Sequence, residues 1–196
     1  MRTGITGGIG SGKSYVCRLL ERQGVEVYDC DSAAKRLMRN DEQLRQRLKE
    51  LIGPDTYITD DQGVEMLNKA AVAQFLLASD DNAKAVDGIV HPAVFDDFLN
   101  SGMQWVESAI LFESGLYRLV DRVVVVTAPE ETRIGRVMRR DNISREKAIE
   151  WMQRQWPQDE LLKRADFEIV NDGITPLLPQ VQRLLSTIPT LGSVGS

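Results

Sequence analysis

The first residues that can carry chemistry form a glycine-rich segment near the start of the chain. Residues 7–14 read Gly-Gly-Ile-Gly-Ser-Gly-Lys-Ser, a full match to the phosphate-binding pattern GxxxxGK[ST]. Backbone N–H groups and the N-terminus of a following helix can surround a triphosphate at such a loop. The pattern predicts that Lys13 reaches the β and γ phosphates and that Ser14 ligates Mg²⁺. The predicted nucleotide-binding residues of the loop are Gly8, Ile9, Gly10, Ser11, Gly12, Lys13 and Ser14.

Two aspartates, Asp29 and Asp31, follow the second predicted strand. Phosphoryl transfer to an alcohol uses one carboxylate to orient the hydroxyl and accept its proton, and another to support the metal ion. We predict that Asp31 is the base and that Asp29 supports Mg²⁺. Asp29 could equally cap the next helix, because aspartate is a favoured N-cap residue.

A phosphate loop alone is shared by switch GTPases, motor ATPases and small-molecule kinases. The guanine-reading pattern NKxD is not completed at Asn68-Lys69-Ala70-Ala71, which argues against a GTPase. The paired aspartates favour a kinase with a small-molecule acceptor. A shikimate-type kinase and a regulatory nucleotide-binding switch stay open as alternatives.

Charge and composition narrow the class of protein further. The net charge of -5 argues against a nucleic-acid or membrane-surface binder, because such proteins use a basic face. The chain shows no apolar run long enough to span a bilayer, and its two cysteines are typical of a reducing compartment, which predicts a cytoplasmic protein. Residues 53–104 are strongly acidic, whereas residues 131–164 carry nine basic and six acidic residues. We expect anion handling in the basic segment.

Strand and helix patterns alternate along the chain. Strands are predicted over residues 2–6, 25–28, 105–112, 122–126 and 167–170. Helices are predicted over residues 13–22, from Asp31 or Ser32 to 38, and over 41–52, 68–78, 80–89, 130–140, 144–155, 159–164 and 177–187. The alternation predicts an α/β fold with a P-loop NTPase-type doubly wound parallel sheet of about five strands. Residues 60–63 are predicted to form a turn, and residues 189–196 a frayed tail.

Three further positions are candidates outside the loop. His91, with Pro92, is predicted to lie between two helices, and Glu113 to end an apolar strand. Arg140 lies between two helices of the basic segment, where a mobile flap could close over the triphosphate. Each of these side chains has an ordinary structural alternative as a packed or solvated residue.

Taken together, these segments resemble the dephospho-CoA kinase family. The resemblance rests on an ordered set of motifs that spans nearly the whole chain: residues 5–14, Asp29-Cys30-Asp31, residues 89–92, residues 110–113, Gln155, residues 165–167 and residues 171–173. It implies transfer of the ATP γ-phosphoryl group to the ribose 3'-hydroxyl of dephospho-CoA, the last step of coenzyme A synthesis, with Mg²⁺ as cofactor.

The resemblance also implies roles for residues and segments of this chain. It adds the backbone of Tyr15 and the side chain of Asn171 to the nucleotide site, and gives Arg140 a catalytic role. Substrate contacts are implied for Thr6, Asp31, His91 and Glu113. One domain is expected over residues 1–196, with a nucleotide-binding core (1–40, 105–130 and 165–188), a helical insert on the CoA side (41–104) and a helical lid (131–164).

Overall fold

The computed structural model describes residues 1–188, so the predicted frayed tail at 189–196 lies outside the described residues. Within the described chain, the helices are α1 (Lys13–Glu21), α2 (Cys30–Asn40), α3 (Glu42–Ile52), α4 (Lys69–Ala78), α5 (Asp80–Ser101), α6 (Glu130–Asp141), α7 (Arg145–Gln153), α8 (Gln158–Leu162) and α9 (Leu177–Thr187). The strands are β1 (Thr3–Thr6), β2 (Val27–Asp29), β3 (Tyr57–Thr59), β4 (Glu65–Leu67), β5 (Trp105–Glu107), β6 (Arg122–Thr127) and β7 (Phe167–Val170).

The main sheet confirms the predicted α/β class. Its strand order in the described chain is β2-β5-β1-β6-β7, and β1 runs parallel to both β5 and β6. In the register of these strands Ile5 lies opposite Glu107 on one side and Val124 on the other. Such a sheet is covered on both faces, which explains why β1 and most of β6 are buried. β1 ends at Thr6, and the glycine-rich loop of residues 7–14 begins at the next residue.

By its internal contacts the chain divides into two compact units. The first unit comprises residues 1–28 together with the described residues from Met103 onward, and the second comprises Asp29–Gly102. In the first unit the core beside β1 consists of apolar side chains from the strands and from helices α1 and α9: Ile5, Val16, Leu20, Val124, Val126, Ile169, Val181 and Leu184. This packing holds α1 against the sheet, and the loop between β1 and α1 is anchored at both ends.

The second unit differs from the sequence prediction at Pro92. A helix was expected to end near residue 89, but α5 continues through Pro92 to Ser101. A proline in a helix removes one backbone hydrogen bond. Buried Val86, Val90, Val94 and Phe98 nevertheless form one continuous face at a spacing of four residues, and packing of that face offsets the loss.

Two other parts of the chain differ from the sequence prediction. The strand expected over residues 105–112 ends at Glu107, and the apolar residues after it are buried in a turn: Leu111 is 0% and Phe112 7% exposed. The predicted turn at residues 60–63 is confirmed, but the antiparallel hairpin of β3 and β4 that flanks it was not predicted. Three-residue strands carry too little alternation to be distinguished from loop.

Candidate functional site

The backbone of the glycine-rich loop favours glycine at Gly10 and Gly12. Gly10 has φ of 80° and Gly12 has φ of 90°, both in the left-handed region. A Cβ atom at Gly10 would lie 2.6 Å from the carbonyl oxygen of Arg133, and one at Gly12 would collide with the side-chain amide of Asn171. The loop therefore approaches α6 and the end of β7 closely, and the glycines of the motif are required here by space as well as by conformation.

Lys13, the lysine of the motif, forms a nearly buried ion pair with Glu107. The Nζ–Oε1 distance is 3.0 Å, and the two side chains are only 11% and 13% exposed. Glu107 is the last residue of β5, which pairs with β1, so the sheet itself places this carboxylate beside the loop. Glu107 was not predicted as a site residue from the sequence. The sequence signal that could have identified Glu107 is an acidic residue within an otherwise apolar strand pattern, Trp105-Val106-Glu107.

Two arginines of α6 donate hydrogen bonds to carbonyl groups of the loop. The Nε of Arg133 donates to the carbonyl of Ile9 at 3.0 Å, and Arg136 donates to the carbonyls of Gly10 and Ser11 at 3.2 and 3.3 Å. Burial of Arg133 lowers the pKa of its guanidinium. These donors bind carbonyl groups of the loop and help to fix its conformation, whereas phosphate binding at such loops uses the backbone N–H groups.

Asn171, the residue directly after β7, also binds this loop. Its Nδ2 donates to the carbonyl of Ser11 at 2.8 Å, its own carbonyl accepts from Arg136 at 3.1 Å, and its N–H donates to Thr127 at 2.8 Å. The predicted nucleotide-site residue thus contacts the loop itself. The hydroxyls of Thr6 and Ser11 are buried, and neither has a hydrogen-bond partner in the described part of the chain.

Arg140 lies on the same face of α6 as the two loop-binding arginines but points elsewhere. Residues 133, 136 and 140 share a helix face by their spacing. The side chain of Arg140 is 60% exposed and pairs with the neighbouring Asp141 at 2.7 Å. The hydrogen bond from Arg140 lowers the pKa of the Asp141 carboxyl. Arg133 and Arg136, which the sequence analysis counted only as part of a basic segment, are the arginines that contact the loop.

Glu113 lies in the turn after β5 and not at the end of a strand. Its carboxylate accepts a hydrogen bond from the backbone N–H of Trp156 at 3.1 Å. The Trp156 ring stacks on Phe112 with 5.5 Å between ring centroids. Glu113 therefore joins this turn to the segment between α7 and α8.

In the second unit the aspartates differ in their surroundings. Asp29, and neither Asp31 nor Ser32 as predicted, is the N-cap of α2: its Oδ1 accepts from the N–H of Asp31 at 2.9 Å and of Ser32 at 3.2 Å. This is the structural role weighed for Asp29 in the sequence. The Asp31 side chain is 75% exposed and pairs with Lys35, whose pKa it raises. An exposed carboxylate at the first turn of α2 is accessible to a substrate.

His91 lies inside α5 and not between two helices. Its ring lies near Phe95, with 6.1 Å between centroids, and its Nε2 is 3.6 Å from Asp87. The side chain is 24% exposed, so it is neither fully packed nor free in solvent.

The donor set near the loop suits Mg²⁺. Magnesium prefers oxygen ligands and is usually held by one or two carboxylates together with substrate phosphates and water. The hydroxyl of Ser14 and the carboxylate of Glu107 are oxygen donors of this kind. The described residues contain no group of three or more acidic, histidine or cysteine side chains that could hold a metal ion by itself. These residues therefore suit a Mg²⁺ ion that binds together with a nucleotide.

Comparison with known proteins agrees with this geometry. A family model described as Dephospho-CoA kinase matches residues 1–176. A dephospho-CoA kinase of Bacteroides fragilis is 41% identical over 197 residues, covering 95% of this chain and 92% of that protein. The crystal structure of TT1252 from Thermus thermophilus has a TM-score of 0.75 at 31% identity and covers 95% of each chain. Dephospho-CoA kinase from Campylobacter jejuni shares the fold at a TM-score of 0.65 and 19% identity, over 94% of this chain and 95% of that one.

Proposed function

The chain belongs to the dephospho-CoA kinase family, and from this premise we propose how its residues carry out the reaction. The protein is an ATP-dependent kinase that phosphorylates the 3'-hydroxyl of dephospho-CoA, giving coenzyme A and ADP. The family match disfavours the shikimate-type and regulatory alternatives. The observation that best supports the residue roles is the loop of residues 7–14, with Lys13 held at its edge by Glu107.

Lys13 binds the β and γ phosphates of ATP in this proposal, and the loop N–H groups from Gly8 to Tyr15 bind the rest of the triphosphate. The ion pair with Glu107 keeps the Lys13 ammonium at the loop before nucleotide arrives. Catalysis in such sites is mainly positioning and stabilisation of charge on the transferred group. A lysine already held in place loses little entropy when it binds phosphate.

Asp31 is the base that orients the acceptor hydroxyl and takes its proton. Its support is its place in the first turn of α2, two residues after β2 ends, and the exposure of its carboxylate. In parallel α/β sheets, substrates bind beyond the carboxyl ends of the strands. The cap formed by Asp29 fixes the first turn of α2 that carries Asp31.

Mg²⁺ is the cofactor we propose, with Ser14 and Glu107 as donors and Asp29 as a further supporting residue. When bound with ATP, the ion neutralises charge on the β and γ phosphate oxygens. Glu107 then has two roles, as partner of Lys13 in the free protein and as an oxygen donor near the metal.

The remaining predicted contacts belong to the closed, substrate-bound state. Arg140 is proposed as a catalytic residue of a lid over residues 131–164, because its exposed guanidinium can exchange Asp141 for phosphate. Thr6, His91 and Glu113 are proposed as substrate contacts, and residues 41–104 as the part of the chain that binds the CoA side.

One further proposal concerns the location of the enzyme in the cell. In the part of the chain that the structure describes, none of the helices has the length and apolar content of a membrane-spanning segment. We propose that the enzyme is cytoplasmic, because Cys17 and Cys30 do not form a disulfide.

A coupled measurement of ADP release tests the function. The protein is incubated with Mg-ATP and, separately, with dephospho-CoA, shikimate, nucleoside monophosphates or water. We expect turnover with dephospho-CoA alone. Lys13→Ala should abolish it, and Arg183→Ala, which removes an exposed positive charge from α9, should not. Turnover with shikimate, or near-normal turnover of a folded Lys13→Ala variant, would contradict the proposal.

A further inference from the structure

Gln155, between α7 and α8, contacts the backbone of the phosphate loop. Its Oε1 accepts a hydrogen bond from the N–H of Ile9 at 2.6 Å, and its Nε2 is 3.4 Å from the carbonyl of Ala109. The orientation of the amide is determined by these partners, since a backbone N–H can only donate and a carbonyl can only accept. One neutral side chain thus joins the loop to the turn after β5.

The hydrogen bond occupies a group that the loop needs for its function. Phosphate binding by such loops depends on successive backbone N–H groups that face the anion. Ile9 is the third residue of the motif, and its N–H already has Gln155 as its acceptor. The carbonyl of Ile9 is held separately by Arg133, so the peptide groups around Ile9 are fixed and cannot turn away from an incoming phosphate.

The backbone of Gln155 is itself anchored. The next residue, Trp156, donates its N–H to Glu113 and stacks on Phe112, and the guanidinium of Arg164 lies 5.1 Å from the centre of its ring. These contacts hold the Gln155 side chain beside the loop. A phosphate oxygen bound at the Ile9 N–H would therefore lie within reach of the Gln155 amide.

We propose that Gln155 is a catalytic residue that contacts the transferred phosphoryl group. In the nucleotide-free protein its carbonyl oxygen accepts from Ile9. When ATP binds, a phosphate oxygen replaces that acceptor, and the amide turns so that its NH₂ group donates to the same phosphate. A neutral amide suits this exchange because it carries both an acceptor and a donor, whereas a carboxylate would repel the phosphate.

This inference rests on the proposed binding of ATP at the loop and adds a donor to that site. A donor aimed at oxygens on which charge develops lowers the barrier to phosphoryl transfer. A hydrogen bond to a charged group typically changes an equilibrium or a rate by roughly 10- to 100-fold. ADP lacks the γ-phosphoryl group, so the effect of Gln155 on ATP should exceed its effect on ADP.

The test compares Gln155→Glu and Gln155→Ala with Gln182→Glu, which adds the same charge at an exposed position of α9, outside the proposed lid. Turnover with dephospho-CoA is measured together with the affinities for ADP and for a non-hydrolysable ATP analogue. Both Gln155 variants should lower kcat by about 10- to 100-fold and weaken the ATP analogue more than ADP. Gln182→Glu should stay within about twofold of wild type by the small effect expected of surface changes.

Two outcomes would overturn the proposal. One is an unchanged kcat in folded Gln155 variants. The other is an equal loss of affinity for ADP and the ATP analogue with a lowered Tm, which would make Gln155 only a brace of the loop. If the variants do not fold, NMR of the wild type decides: the Ile9 N–H and the Gln155 side-chain NH₂ signals should shift with the ATP analogue and much less with ADP, and equal shifts would refute the contact. Failure of ATP binding at the loop itself is tested separately by Lys13→Ala.

Discussion

The ion pair between Lys13 and Glu107 allows a quantitative test of the site before any nucleotide is added. The charges are 3.0 Å apart and the side chains are 11% and 13% exposed. At an effective dielectric constant of ~20, Coulomb's law gives about 5.5 kcal/mol for their attraction before any cost of burial. Loss of hydration on burial offsets part of this energy.

Removing one partner leaves the other charge buried and unpaired. We therefore expect Lys13→Met and Glu107→Gln each to lower the free energy of unfolding by about 3 kcal/mol, and the double variant to lose clearly less than their sum. The resulting coupling energy should be about 2 to 3 kcal/mol.

The matched control is the pair of Lys163 and Glu160, with the same residue types at 2.5 Å but with side chains 64% and 43% exposed. Exposed pairs of this kind couple by about 0.2 to 0.5 kcal/mol, because water and salt screen them. Lys163→Met, Glu160→Gln and the double variant form the second cycle.

Urea unfolding followed by tryptophan fluorescence is the assay, because all three tryptophans, Trp105, Trp151 and Trp156, belong to the first unit. In 0.5 M salt the coupling at Lys13 should persist and the coupling at Lys163 should vanish. Equal coupling energies in the two cycles would refute the reasoning, since burial would then contribute nothing to the pair.

Three further predictions concern the proposed base, the lid and the pH dependence. Asp31→Asn should lower kcat by about 10²- to 10⁴-fold with little change in ATP affinity, since it removes a base. Asp29→Ala should instead lower the free energy of unfolding by ~1 kcal/mol, because α2 loses its N-cap. Asp29→Asn should keep most of that stability, because asparagine is also a good N-cap residue. A loss of ATP affinity in Asp31→Asn with unchanged turnover would show that the two aspartates are assigned wrongly. Arg140→Ala should lower turnover and lower Tm only slightly, because its exposed pair with Asp141 contributes little to stability. Arg133→Met should lower Tm clearly, because Arg133 is buried against the loop. The lid fails if Arg140→Ala turns over normally and protease sensitivity of residues 131–164 is the same with and without nucleotide. The pKa of Asp141 in the folded protein lies below its ordinary value of 3.8. The ionised Asp141 carboxylate therefore contributes to stability above pH 3.8, and this contribution is lost as the pH falls through the folded pKa. NMR titration of Arg140→Ala should show the Asp141 pKa raised toward 3.8, and an unchanged pKa would exclude the Arg140 hydrogen bond as the cause of the shift.

Local features of the chain were predictable from the sequence. The loop of residues 7–14 was predicted because the motif depends on glycines at fixed positions, and in the structure Gly10 and Gly12 adopt positive φ. Most helices were predicted because apolar residues repeat at helical spacing. The parallel sheet followed from the alternation of strands and helices.

Local patterns also explain the errors. Pro92 indicated a helix break, yet the apolar face of Val86, Val90, Val94 and Phe98 continues across it. That face stabilises the helix only because other helices of the second unit cover it. The apolar residues after Glu107 indicated a strand, but Leu111 is buried in a turn beneath the sheet. Apolar composition predicts burial more reliably than it predicts the backbone conformation that achieves it.

The sequence by itself determined the phosphate loop and the class of fold, because both depend on residues that are close together in the chain. Only the tertiary structure decided which side chains serve the loop. Glu107, Arg133 and Gln155 reach it from positions far along the chain, through strand order and helix packing. A charged or polar side chain gains stability from whichever partner the fold places within hydrogen-bond distance, and sequence spacing does not encode that distance.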